Sequence, residues 1–81
     1  MIELPYSDCA ATVTETQGLR DQHGRIARKI KVLVEHRPTG AKAGDYFEGF
    51  YTDAQVEKKA QEMAQAVCRD LMIAISLGSM T

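Results

Sequence analysis

Thr52-Asp53-Ala54-Gln55-Val56-Glu57-Lys58-Lys59-Ala60 opens the last third of this 81-residue chain, and its reading decides the fold. Thr52 suits a helix N-cap, Gln55 stands in the capping-box position, and Asp53 is favoured there by the helix dipole. From that point Val56, Ala60, Met63, Ala64, Val67 and Leu71 recur at steps of three and four, the single apolar stripe of an amphipathic helix. Nothing between Asp70 and Ile75 breaks the pattern, so a helix is expected over 52–77, running to Ser76 before Gly78 ends it. At about 1.5 Å per residue it spans roughly 35 Å. The alternative stops the helix near Asp70 and makes Leu71–Leu77 a fourth strand, because Ile73 and Ile75 alternate with small residues.

The stripe needs an apolar surface to cover, and residues 9–51 offer one as a three-stranded antiparallel sheet. Cys9, Ala11 and Val13 alternate with Thr12, Thr14 and Thr16, the period-two signal of a half-buried strand. Gln17–Gly24 is a polar connection. Over Arg25–Arg37, Ile26, Ile30, Val32 and Val34 fall on one face, while Lys29, Lys31, Glu35 and Arg37 fall on the other with Leu33 as the exception. Pro38-Thr39-Gly40 suits a hairpin closed by a left-handed glycine and a bulge. The third strand, 43–51, puts Phe47 and Tyr51 on one face and Tyr46, Glu48 and Phe50 on the other. Gly49 suggests a bulge or a close approach of the helix.

The expected fold is therefore α+β, a βββα single domain over 1–81 with an arm at 1–8, a sheet at 9–51 and a helix at 52–77. Its expected core is Val13, Ile26, Ile30, Val32, Val34, Phe47, Tyr51, Val56, Ala60, Met63, Val67 and Leu71. A domain this small buries only about 60% of the surface its unfolded chain exposes, which argues against a deep enclosed active site. Charged residues at 26% and hydrophobic residues at 44% fit an ordinary folded protein.

Catalytic, metal and cofactor chemistry find no constellation. His23 lies in a glycine-flanked loop and His36 at a strand end, positions that suit surface or turn roles. Cys9 and Cys68 lack CxxC or Cys/His spacing, so two small buried thiols in a reducing cytoplasm are expected. Asp45 and Glu48 fall on opposite faces of their strand, which separates them as an acid–base pair. Neither a catalytic residue, a metal ligand nor a cofactor site is expected.

Met1–Asp8 contains Glu3 and Asp8 and no Lys or Arg, unlike a secretory leader. The apolar run Leu71–Ile75 is far short of the roughly 20 residues that span a bilayer. A cytoplasmic location and no membrane partner are expected.

Charge is unevenly distributed along the chain. Residues 20–42 hold seven cations against Asp21 and Glu35, while residues 43–57 carry Asp45, Glu48, Asp53 and Glu57 with no basic residue. The expectation is a basic side (Arg28, Lys29, Lys31, Arg37, with Lys58 and Lys59) and an acidic side (Asp45, Glu48, Asp53, Glu57), either able to meet a partner. Met72, Ile73, Ile75, Leu77 and Met80 add apolar surface beyond the stripe, a candidate homodimer interface.

Two family resemblances follow from these segments. Three strands and then a helix opening near Lys58-Lys59 and continuing with Ala60, Ala64 and Ala66 resemble the later part of a double-stranded-RNA-binding domain. In that family, lysines at the start of the final helix meet phosphates. Met1–Asp8 is too short for that family's first helix, and Glu57 and Gln61 stand where lysines would align. Thr12-Val13-Thr14-Glu15-Thr16, Val32-Leu33-Val34-Glu35 and Lys59-Ala60-Gln61-Glu62-Met63-Ala64 are similar to segments of a type I inhibitor family among the small phage-encoded inhibitors of bacterial CRISPR systems. That resemblance implies a non-enzymatic module that blocks an effector complex by occupancy. Three expectations stand: a protein-binding inhibitor, a nucleic-acid-binding module, and a dimeric structural protein.

Overall fold

The computed structural model describes residues 2–79 and has the βββα layout. Strand β1 runs Cys9–Arg20, β2 Ile26–His36, β3 Ala41–Gly49, and helix α1 Asp53–Ser79. The sheet order is β1-β2-β3 with both pairings antiparallel. The molecule is elongated, 52 × 23 × 15 Å, because one long helix lies along one small sheet.

Each turn has a local cause. Asp21 organises the first: its Oδ1 accepts from the backbone N–H groups of His23 and Arg25 at 2.9 and 2.8 Å, and its Oδ2 pairs with Arg25 Nε at 2.8 Å. Partial burial alone would raise the Asp21 carboxyl, but the donors from Arg25 and His23 outweigh it and hold it below its ordinary range. The second turn is a hairpin closed by the expected left-handed glycine, with Gly40 at φ 72° and its N–H donating to the His36 carbonyl at 2.8 Å, and its strands pair from His36 and Ala41 without a register shift. His36 is buried there, its Nδ1 2.8 Å from Thr39 Oγ1, so it serves the turn. The capping box forms as expected. The Gln55 N–H donates to Thr52 Oγ1 at 3.2 Å and the Thr52 N–H to Gln55 Oε1 at 2.9 Å.

Three boundaries differ from expectation: the end of β1, the end of the helix, and β3, which covers Ala41–Gly49 rather than 43–51. Strand β1 continues through Gly18 to Arg20, with a register shift between Gln17 and Arg20. The polar stretch remains strand because a two-stranded extension with β2 satisfies its backbone. The helix passes Gly78 and ends at Ser79; residues 71–77 are helical as expected, and the alternative of a fourth strand does not form. Gly49 makes room for the Tyr51 ring rather than for the helix, since a Cβ there would lie 3.0 Å from Tyr51 Cε2. Met1 and Met80 lie outside the described residues.

The core sits between β2 and the helix. Ile30, Val32 and Val34 are fully buried on one face of β2, and Ala60, Ala64, Cys68 and Leu71 are buried on the helix. Small residues along α1 let its backbone approach the sheet closely. Cys9 closes one end of this core, its thiol 3.9 Å from Met72 Sδ. Phe47, Met63 and Val67 pack around it, and Phe47 meets Tyr51 edge-on with ring centroids 5.4 Å apart. Val13, expected in the core, is 40% exposed. The helix lies over β2 and β3 and scarcely meets β1, so Val13 faces open space.

Candidate functional site

The sheet face turned away from the helix carries the densest group of exposed chemistry. Strand pairing fixes its membership, because directly opposed residues share a face. Thr14 opposes Lys31 and Lys31 opposes Tyr46, while Thr12 opposes Leu33 and Leu33 opposes Gly44. Leu33, the exception in the alternation of β2, is 44% exposed here, and Tyr46 is 56% exposed. They flank an open trough of about 370 Å³ bordered by Thr12, Thr14, Lys31 and Gly44. A side chain at Gly44 would crowd it, since a Cβ would lie 3.0 Å from the Val32 carbonyl oxygen and 3.4 Å from Leu33 Cδ1.

Cations lie over rings on this face. Lys29 Nζ is 4.8 Å from the centroid of Tyr46, and the Arg25 guanidinium is 4.8 Å from that of Phe50. The acids of the face are engaged. Glu48 reaches across to the β1 irregularity and accepts the Leu19 N–H at 2.7 Å, and Glu35 lies 3.8 Å from Lys42 Nζ.

The basic residues do not share one side. Lys29 and Lys31 lie on the outer face with Arg37 just beyond the end of their strand, but Arg28 points to the helix face. There its guanidinium bridges Glu15 at 2.7 Å and Asp53 at 2.9 Å and donates to the Tyr51 carbonyl at 3.0 Å. The bond from Arg28 holds the Glu15 carboxyl below its ordinary range, and Glu15 in turn raises the Arg28 pKa further. Lys59 lies over the Tyr51 ring at 5.2 Å, whereas Lys58 lines a second groove.

The acidic set is divided in the same way. Asp45 faces the helix side at the β3 edge, Glu48 lies on the outer face, Asp53 is paired with Arg28, and Glu57 lines the second groove. Basic and acidic sides therefore do not form, because the two-residue period of the strands sends neighbours in sequence to opposite faces. That second groove, about 520 Å³, lies between Val13 and the start of the helix, with Ile2, Val56, Glu57 and Lys58 on its walls.

At the helix end the expected interface residues separate. Met72 and Ile75 pack against the core, while Ile73 and Leu77 are 58% and 62% exposed. Among the described residues no group of three or more His, Cys, Asp or Glu is placed to hold a metal, and no helix is long and apolar enough to cross a membrane. The two cysteines are free, and burial pushes the Cys68 thiol up to about 11, with a hydrogen bond to the Cys9 thiol adding to the shift. A thiol so placed is a poor nucleophile at neutral pH.

Alternation in the sequence puts Lys29 and Lys31 on one face of β2 and Tyr46 with Phe50 on one face of β3, but does not show the trough between them. Its signal was Leu33, the one apolar residue breaking the polar side of β2. No family model, no curated protein and no solved structure matches this chain.

Proposed function

We propose that this chain is a non-enzymatic protein-binding module that acts by occupancy through the outer face of its sheet. The observation that carries it is the exposed pair Leu33 and Tyr46, which flank an apolar trough on a face the chain's own helix does not cover. An apolar centre rimmed by Lys29, Lys31 and the Thr12 and Thr14 hydroxyls has the composition of a protein interface. The resemblance of the strand and helix segments to small phage-encoded CRISPR inhibitors makes a phage or mobile-element origin the specific form of the proposal. Its partner is then a bacterial nucleic-acid-processing defence complex in the host cytoplasm. The test is capture of partners from bacterial lysate by the tagged protein, with and without nuclease, beside a Leu33→Asp, Tyr46→Ala variant. A nuclease-resistant stoichiometric protein partner that the variant loses supports the proposal. A partner that the variant retains refutes the assigned face.

A second reading is favoured by one contact, the Lys29 ammonium over the Tyr46 ring at 4.8 Å. Exposed rings with adjacent cations hold single-stranded nucleic acid by stacking and phosphate pairing. It requires binding that weakens steeply with salt and is lost on Lys29→Glu, Lys31→Glu. Glu48→Lys, on the same outer face, separates the two: nucleic-acid binding is kept or tightened, whereas a protein partner's affinity for this surface falls.

A further inference from the structure

The two edges of the sheet are not equivalent, and the difference points to a second copy of the chain. The Arg37 N–H donates to the Asp8 carbonyl at 3.0 Å, which fixes the phase of the β1–β2 ladder. Hydrogen-bonded pairs alternate with non-bonded pairs in an antiparallel ladder. Ala10, Thr12, Thr14 and Thr16 therefore bond to β2, and Ala11, Val13 and Glu15 direct their N–H and C=O groups out of the sheet. On β3 the bond from the Gly40 N–H to the His36 carbonyl sets the complementary phase, so Lys42, Gly44, Tyr46 and Glu48 present the outward groups.

The β3 edge is blunted by its own side chains. Lys42 and Asp45 place charges along it, and the Tyr46 N–H is already taken by Asp45 Oδ1 at 2.8 Å. The β1 edge has none of these devices. From Cys9 to Gln17 it is regular, contains no Pro, Lys or Arg, and carries one charge, Glu15, whose carboxylate is turned inward to Arg28. Beside it lies the groove of about 520 Å³ in which Val13 is left uncovered.

We infer that β1 pairs antiparallel with β1 of a second copy, joining two three-stranded sheets into one of six strands. A two-fold axis through the Val13 pair sets Ala11 opposite Glu15 and Thr12 opposite Thr14, so no like charges meet. Every outward amide of Ala11, Val13 and Glu15 then gains a partner. Both helices lie on the same side of the joined sheet, and the two Val13 side chains cover each other in the space that each helix leaves open. The outer faces with Leu33 and Tyr46 stay free, so this inference is independent of the function proposed above.

Analytical ultracentrifugation of the full chain over a concentration series, with far-UV circular dichroism as a check on folding, tests it. The expected mass rises from 9.0 kDa toward twice that value with concentration. Val13→Pro, which removes only an outward donor, and Val13→Lys, which places a cation at the seam, hold the chain at the monomer mass. Should either variant fail to fold, amide exchange of the unmodified chain decides. Exchange at Ala11, Val13 and Glu15 slows as concentration rises if β1 pairs, and concentration-independent exchange overturns the inference. A monomer at every concentration overturns it too, as does a dimer that Ile73→Asp dissociates while the Val13 variants leave it intact.

Discussion

Arg28 Nη1 lies 2.9 Å from Asp53 Oδ1 and 3.0 Å from the Tyr51 carbonyl oxygen, so the middle strand holds the residue that begins the helix. The same guanidinium reaches β1 through Glu15, and three elements meet at one side chain. Arg28→Met should therefore lower the urea midpoint of unfolding with an unchanged m-value. Asp53→Asn should lower it less, because that carboxylate is almost fully in solvent and water screens the pair. The pH dependence follows from Glu15. Its folded pKa is lowered, so its contribution is present above the ordinary value of 4.5 and is lost as pH falls through the lower folded value. Urea titrations at a series of acidic pH values should show that loss in the parent and not in Arg28→Met.

The close approach of helix and sheet depends on small side chains. Ala64 is fully buried against the sheet, and Ala64→Leu should destabilise the fold by about 1–3 kcal/mol through overpacking. Ile30→Ala, which empties a fully buried site, should cost about 2–5 kcal/mol. Thermal and urea unfolding would measure both.

Cys68 gives the molecule an alkaline limit. Its thiol is raised from 9.0 to about 11 by burial and by its bond to Cys9, so the stability it contributes is full below 9 and is lost as pH rises toward 11. The loss should be absent from Cys68→Ala, read as the difference between the two unfolding curves across that interval. At pH 7 a maleimide reagent should label Cys68 only as the chain unfolds.

The helix end contains an internal control. Ile75 packs on the core and Ile73 does not, although they stand two residues apart. Ile75→Asp should cost about 1–3 kcal/mol and Ile73→Asp no more than about 0.5 kcal/mol at low protein concentration, measured by urea unfolding.

Much of the architecture was legible because its signals are local. Thr52 and Gln55 mark the helix start, Gly40 marks the hairpin, and the period of two in Ile30, Val32 and Val34 marks the central strand. The lateral placement of the helix was not legible. Periodicity says that Val13 belongs to the inner face, but not that the helix lies over β2 and β3 and leaves that residue uncovered. The burial of Cys9 and Cys68 as small thiols, and of Ala64 in the apolar stripe, was legible, but not that their small size sets the helix–sheet distance. Arg28 was grouped with Lys29 and Lys31 by proximity in the chain, and only its inner-face partners Glu15 and Asp53 show why a cation can stand there. Of the candidate site, Lys29 beside Tyr46 followed from alternation. The trough did not, since it depends on Gly44 lying opposite Leu33, a matter of register between strands.

The meander order of the sheet also shapes how the chain finds its fold. Each strand pairs with its immediate neighbour in sequence, so both hairpins close over short loops at little entropic cost. The remaining long-range step is the helix settling on β2 and β3. The backbone of Glu3, bonded to Gln61 and Gln65 across a separation of 58 residues or more, can join only after that step. The N-terminal arm is thus a late latch: it lengthens the life of the folded state while adding little to the speed at which that state is reached.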